Sequence, residues 1–363
     1  MEQALYHPRH GYYSSGRAEI GRRGDYFTNV SVGPLFGQLL AAQFAEMWER
    51  LDSSDLSRDQ RTDKPEMTIV EQGAHHGQFA RDVLTALRKD WLQFFEKLRY
   101  RIIEPFPILQ ARQSETLREF EEKVSWAKSL SEVDPFVGVH FSNELVDSMP
   151  VRLIVSTDRS WREKFVDIQG GQFVFTDQAI VDPALKMEVA KLPERASGYE
   201  TEVNLAALDW IDDLSTKLLG GYIIAIDYGF ARDGFYAPFR TTGTLQVRAQ
   251  HRCLASPFEQ IGHADISAHV DWTSLAEQAQ EVGLSVHGFS DQHHFITGIV
   301  SELLREDLEK TADAKDKREL QTLLHPEMLG RAFQVLALEK GPGRAGPLAG
   351  FRFARDMRAA LGV

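Results

Sequence analysis

Apolar positions along this chain follow two periods that alternate. Met67–Glu71 is a short apolar run that predicts a strand, and Gln78–Arg88 has the spacing of a helix. Tyr100–Ile103 predicts a second strand, Ile108–Glu122 a second helix, and Val139–Phe141 a buried strand that ends in a sharp polar turn. The pattern resumes with a helix over Leu205–Leu219 and a strand over Tyr222–Ile226, then a helix over Trp272–Val282 and a terminal strand over Phe333–Leu338. Strands that alternate with helices in this way predict an α/β fold, a parallel sheet covered on both faces.

Other segments break that rhythm. The first fifty residues carry Gly11, Gly16, Gly21, Gly24 and Gly33 and read as a turn-rich cap leading into an apolar helix over about 34–51. The polar stretch Asp52–Lys64 reads as a linker. Arg152–Ser156, Glu163–Ile168 and Gln172–Thr176 are short, closely spaced strands, expected to pair antiparallel as an inserted β-ribbon. Ser301–Leu324 is charged and helical, a solvated lid or surface helix. Gly341–Gly350 reads as a linker and Phe351–Leu361 as a short basic helix. The expected organisation is a cap and helix over 1–63, a main domain over 64–340 with insertions at about 152–200 and 230–330, and an extension over 341–363.

The strand–turn–helix unit Ile69-Val70-Glu71-Gln72-Gly73-Ala74-His75-His76-Gly77 is the first sign of chemistry. Glycine lets backbone approach a ligand closely, and an open helix start leaves amide donors unpaired. Such units also occur in α/β proteins that bind no nucleotide. Glu104, at the end of the next strand, sits where a carboxylate can accept both ribose hydroxyls of an adenosine, or can favour a helix start as an N-terminal acid. A dinucleotide fingerprint needs further glycines where this chain has His75 and Gln78. A ligand without phosphates fits better, and S-adenosylmethionine is one.

These residues and others place the chain beside a known family. Ala4-Leu5-Tyr6-His7-Pro8, Gly11-Tyr12-Tyr13, Gly24-Asp25-Tyr26-Phe27-Thr28 and Leu35-Phe36-Gly37-Gln38 precede the glycine turn. Glu104-Pro105, Asn143-Glu144-Leu145-Val146-Asp147-Ser148-Met149-Pro150-Val151, Trp161-Arg162-Glu163, Asp227-Tyr228-Gly229 and Gly243-Thr244-Leu245 follow it. Asp265-Ile266, Val270-Asp271-Trp272, Gln292-His293 and Met328-Leu329-Gly330 complete the series. In this order the sequence resembles the MidA-like family over roughly 1–340, a family that includes the mitochondrial complex I assembly arginine methyltransferase. The resemblance implies a class I, Rossmann-like methyltransferase fold with a seven-stranded, mostly parallel sheet. It implies S-adenosyl-L-methionine as cofactor and, in one branch, methylation of a protein arginine. The family turn is Glu-Leu-Gly-Pro-Gly-Arg-Gly, and here His75 replaces its central glycine.

The candidate cofactor-binding residues are therefore Glu71, Gly73, His75, Gly77, Glu104 and Asn143. Glu144 and Asp147, in the turn after Val139–Phe141, are the candidate catalytic acids, because a carboxylate can grip and orient a guanidinium. Asn143 and Asp147 are also ordinary turn-capping residue types. Asp25, Tyr26 and Asp227, with Asp271, are candidates for polar loops that line a substrate cleft. The histidine pairs His75-His76 and His293-His294 lack the spacing of a zinc motif, so no metal is expected.

Composition narrows the partners. With Lys+Arg 41 and Asp+Glu 53, the net charge is −12, which opposes broad nucleic-acid binding. An acidic surface suits a basic peptide or an arginine, and equally a solvated surface without a partner. Cys253 is the only cysteine, so no disulfide framework is available. No apolar run reaches the ~20 residues of a membrane span, and the first residues lack a secretory layout. The expectation is a cytoplasmic enzyme acting on a protein side chain, arginine first, or on a small-molecule acceptor. A non-catalytic assembly factor of the same fold is the alternative from another class.

Overall fold

A computed structural model describes residues 1–18, 28–52, 66–158, 160–250, 252–304, 312–341 and 346–363. Contacts divide the chain into two compact units. The larger is Phe27–Leu145, Ile211–Tyr228 and Ala276–Val363, and the smaller is Met1–Tyr26, Val146–Trp210 and Gly229–Leu275.

The larger unit is built on the central sheet. Its strands are β1 (Met67–Gln72), β2 (Leu98–Ile103), β3 (Val124–Ala127), β4 (Phe136–Asn143), β5 (Leu218–Phe230), β6 (Ser285–Asp291) and β7 (Phe333–Lys340). Their spatial order is β6-β7-β5-β4-β1-β2-β3. The pairs among β1 to β5 are parallel, whereas β7 runs antiparallel to both β5 and β6. A parallel sheet with both faces covered needs strands apolar on both sides. β4 and β5 meet that demand, since Val139, Phe141, Tyr222, Ile223, Ile224 and Ile226 are all buried.

The helices Leu35–Asp52 and Gln78–Asp90 supply one cover. Phe79 stacks on Phe141 of β4 at 4.3 Å between ring centroids, and Phe44 meets Phe141 edge-on at 5.7 Å. Burying each such ring contributes about 1.5–3 kcal/mol. The C-terminal segment closes the same side: Gly350 N–H donates to Gln43 Oε1 at 2.9 Å and Ala349 N–H to Glu46 Oε2 at 2.9 Å.

The expected strands and helices are present, with corrections. The helix expected over Ile108–Glu122 spans Pro107–Thr116, and a 3-10 turn, Arg118–Phe120, reverses the chain so that β3 can begin at Val124. β3 is too short, and β6 too interrupted by His287 and Gly288, for periodicity to reveal either. The charged stretch 301–324 is a π-helical turn, Val300–Leu304, and a helix, Ala314–Leu324, while 305–311 lie outside the described residues. The final helix covers only Met357–Leu361, because Asp356 caps it there by accepting from the Arg358 and Ala359 N–H groups. Of the expected linker 52–64, Asp52 ends a helix and the rest lies outside the described residues.

The smaller unit carries two antiparallel sheets. One runs Gln172–Ala179, Trp161–Gln169, Arg152–Ser156, Glu200–Val203 in spatial order, which is the expected ribbon plus a fourth strand. The other places Gln246–Ala249 between Arg252–Cys253 and Asp265–Ser267. Leu5, Tyr12, Val247 and Ile266 form a core in this unit.

Candidate functional site

In the larger unit the candidate residues gather at the C-terminal ends of β1, β2 and β4, the rim at which open α/β sheets bind ligands. Glu71, the fifth residue of β1, is buried and accepts the Tyr100 hydroxyl at 2.7 Å. Burial pushes its carboxyl up to about 7, against the opposing effect of that hydroxyl. The turn then runs through three left-handed residues, Gly73 (φ 87°), His75 (φ 46°) and Gly77 (φ 80°). Left-handed backbone disfavours an L side chain, which is why glycine suits these places and why His75 is the strained member. Gly77 then starts the helix Gln78–Asp90, which has no side-chain N-cap bond.

Glu104 follows β2. Its Oε1 accepts the Phe106 N–H at 3.0 Å and its Oε2 accepts Gln113 Nε2 at 2.8 Å. Burial pushes this carboxyl up to about 7, and the two donors only partly offset it. An ionised carboxylate has about four acceptor positions, so two donors leave capacity for a vicinal diol. Gln113 was not apparent in the sequence. It is fully buried, donates also to the His75 carbonyl at 2.9 Å, and accepts Trp126 Nε1 from β3 at 3.0 Å. One side chain thus ties together the ends of three neighbouring strands. A polar residue on the inner face of a helix would have been its only signal.

His75 and His76 stack at 3.8 Å, and Arg112 lies 3.0 Å from His76 Nε2. Burial, with the Arg112 cation beside it, lowers the His76 pKa. Among the described residues no group of His, Cys, Asp or Glu is arranged to hold a metal ion.

At the end of β4, Asn143 Nδ2 donates to Glu144 Oε1 at 2.9 Å. Glu144 has φ 54°, and its N–H donates to the Ile226 carbonyl at 2.9 Å. Asn143 Oδ1 in turn accepts Asn29 Nδ2 at 2.9 Å, and Asn29 Oδ1 accepts Gln292 Nε2 at 2.8 Å. Glu144 belongs to the larger unit and Asp147 to the smaller, where the Asp147 carbonyl accepts the Ala268 N–H at 2.8 Å.

Asp227 was expected in a loop, but it lies within β5 and is buried, with Oδ1 accepting the Tyr228 N–H at 2.8 Å. The strand runs past it because β7 pairs with β5 through Tyr228. Asp271 likewise ends a short strand, and its Oδ1 accepts the Thr273 N–H at 3.2 Å. Asp25 and Tyr26 lie outside the described residues.

The smaller unit holds a pocket of its own, lined by apolar side chains such as Val146 and Leu208 and by Glu202, Arg232, His269 and Asp271. Its acids are already engaged. Glu202 accepts the N–H groups of Thr244 and Leu245, each at 2.8 Å. Burial raises the carboxyls of Glu202 and Asp271 and lowers His269 to about 4. The run Gly243-Thr244-Leu245 is thus a nest for a buried carboxylate: a Cβ on Gly243 would lie 2.2 Å from Glu202 Oε1.

A family model described as "Putative S-adenosyl-L-methionine-dependent methyltransferase" matches residues 39–290, more than half of the chain. The chain belongs to this methyltransferase family. It is 31% identical to a crystal structure from Burkholderia thailandensis of a protein described as a "likely methyl transferase" and bound to S-adenosyl-homocysteine. That match covers 99% of this chain and 90% of the other, with a TM-score of 0.84. Mitochondrial protein arginine methyltransferase NDUFAF7 of Mus musculus is 25% identical over 93% of this chain and 79% of its own length. The Drosophila melanogaster homolog is 24% identical over 94% of this chain and 80% of its own. The cofactor of this methyltransferase is S-adenosyl-L-methionine, and the candidate residues at the rim fit it: a carboxylate with spare acceptor capacity follows β2, and an uncapped helix start follows the left-handed turn after β1. Gly73 is open beside that turn, since a Cβ there would meet nothing nearer than Leu145 at 3.5 Å.

Proposed function

We propose that this methyltransferase methylates the arginine side chain of a protein, with Glu144 as the carboxylate that holds the guanidinium. The observation that carries the reading is the fixed carboxylate of Glu144 at the end of β4, with Oε1 accepting from Asn143 in a left-handed turn. The naming of several relatives as protein arginine methyltransferases supports it, and so does a net charge of −12.

In this reading Glu104 accepts the two ribose hydroxyls. The backbone of Gly73, His75 and Gly77 lies under the amino-acid portion, and buried Glu71 braces the turn. Asn143 stands between cofactor and acceptor. When bound, the cofactor supplies a methyl group on a sulfonium. The protein's own task is orientation. A carboxylate that accepts two parallel hydrogen bonds fixes the guanidinium plane and places one nitrogen for in-line attack at near-attack distance. Asp147 is the second acid assigned to the acceptor. Asp227 is buried, with Oδ1 accepting the Tyr228 N–H, and in this reading it has no contact with the acceptor.

The test is transfer of tritium from labelled S-adenosylmethionine into a native cell extract, followed by separation of protein from small molecules and mass spectrometry. Label recovered as methylarginine in protein is the expected result. Label found only in the small-molecule fraction would replace this reading with a small-molecule acceptor.

A further inference from the structure

We infer that Asn29 and Gln292 are positioning residues for the acceptor site, which set the direction in which Asn143 presents its amide to Glu144. The inference rests on the clamp role proposed for Glu144. Gln292 acts through Asn29, and Asn29 acts through Asn143. Gln292 begins the helix Gln292–Ile299 and Asn29 begins the short helix Asn29–Val32, so the relay is assembled from segments far apart in sequence.

Both residues are fully buried, which makes the orientation of each amide consequential. The first link is anchored by a group that can only accept: Gln292 Nε2 lies 3.2 Å from the Leu323 carbonyl oxygen, so that end of the side chain must be its NH2. The same NH2 donates to Asn29 Oδ1 at 2.8 Å, which turns the Asn29 NH2 towards Asn143 Oδ1 at 2.9 Å. Asn143 is then left with its NH2 facing Glu144 Oε1 at 2.9 Å. An ionised carboxylate accepts only, so the relay delivers the one orientation it can use. Were Asn143 reversed, a carbonyl oxygen would face the carboxylate and push it from its place. The backbone of Glu144, left-handed at φ 54°, offers no compensating freedom.

The decisive variant is Asn29→Asp, nearly isosteric with the native side chain. A carboxylate there still accepts from Gln292 but has no proton for Asn143, whose amide must flip and aim its oxygen at Glu144. Asn29→Ala breaks the same link without adding a buried charge, and serves if the first variant folds poorly. Tritium transfer into extract protein is expected to fall ~10–100-fold in Asn29→Asp and less in Asn29→Ala, while S-adenosyl-homocysteine affinity stays within about threefold, the pattern of an interaction that acts in the transition state. In a Glu144→Gln background the second substitution should cost little, because a glutamine can donate to a flipped Asn143; such non-additivity marks a direct coupling. An arm free of any acceptor is the side-chain amide NMR spectrum of the S-adenosyl-homocysteine complex. Asn29→Asp should move the Asn143 NH2 pair, and Glu144→Gln should move the Asn143 and Asn29 pairs. An unmoved Asn143 pair in Asn29→Asp, or full transfer in that variant while Glu144→Gln is inactive, would overturn the relay and leave the clamp standing. Full transfer by Glu144→Gln would instead remove the clamp, and with it the role assigned to the relay.

Discussion

Gln113 Nε2 donates at once to Glu104 Oε2 at 2.8 Å and to the His75 carbonyl at 2.9 Å, so one amide couples the acid after β2 to the turn after β1. Replacing Gln113 by Leu leaves a buried carboxylate and a buried carbonyl each short of a donor. Each loss costs on the order of 1–3 kcal/mol. The expected result is a comparable drop in stability by urea denaturation and at least tenfold weaker cofactor binding by calorimetry. Unchanged affinity in a folded variant would show that the two strand ends hold their places without it.

The ribose role proposed for Glu104 makes cofactor binding expected to depend on pH. Its folded pKa of about 7 lies above the ordinary value of 4.5, so the folded protein without cofactor favours the protonated acid. The stability from this shift is fully present below about 4.5 and is lost as pH rises through about 7. A carboxylate that accepts hydroxyls must be ionised, so affinity should rise about tenfold between pH 6 and 8 as the ionised fraction grows. Glu104→Gln should bind more weakly and show a flat profile; Glu104→Ala should lose between several-fold and ~100-fold. Titration calorimetry across that pH range checks both, and a parallel slope in the glutamine variant would assign the dependence to another group.

His75 holds φ 46° where the resembling family has glycine. His75→Gly relieves a left-handed penalty of roughly 1 kcal/mol but adds unfolded-chain entropy of similar size. Stability should therefore change by less than about 1 kcal/mol, and cofactor affinity by less than about threefold. If the glycine variant binds S-adenosylmethionine and the native protein does not at millimolar concentration, the histidine blocks the pocket and the enzyme reading fails.

Glu144→Gln keeps the size of the side chain and removes the charge that attracts a guanidinium. Cofactor affinity should stay within about threefold while single-turnover methyl transfer falls ~100-fold or more. Asp147→Asn should act in the same direction and more mildly. Full transfer by folded Glu144→Gln would shift weight to an acceptor that needs no carboxylate.

Gly243→Ala tests the nest around Glu202. The new methyl would lie 2.2 Å from Glu202 Oε1 at a residue with φ 71°, so both overpacking and backbone strain oppose it. A loss of roughly 2–4 kcal/mol is expected from equilibrium unfolding. A neutral result would mean the carboxylate can withdraw from the Thr244 and Leu245 amides without cost.

The α/β alternation, the Glu71–Gly77 turn and the position of Glu104 just after a strand were legible in the sequence, because each depends on residues close together in the chain. Hydrophobic period reports which face of a local element is buried, and a strand–glycine–helix unit carries its ligand geometry within nine residues. The tertiary structure alone decided the rest. β3 and β6 are strands because neighbours in the sheet supply their hydrogen bonds, not because their own pattern demands it. Asp227 is a strand residue because β7 pairs alongside it, although its sequence reads as a polar loop. Gln113, Asn29 and the NH2 of Gln292 are buried polar groups whose hydrogen-bond partners come from distant segments. A buried hydrogen bond needs both partners in place, and for these residues the partner is chosen by the fold and not by the local chain.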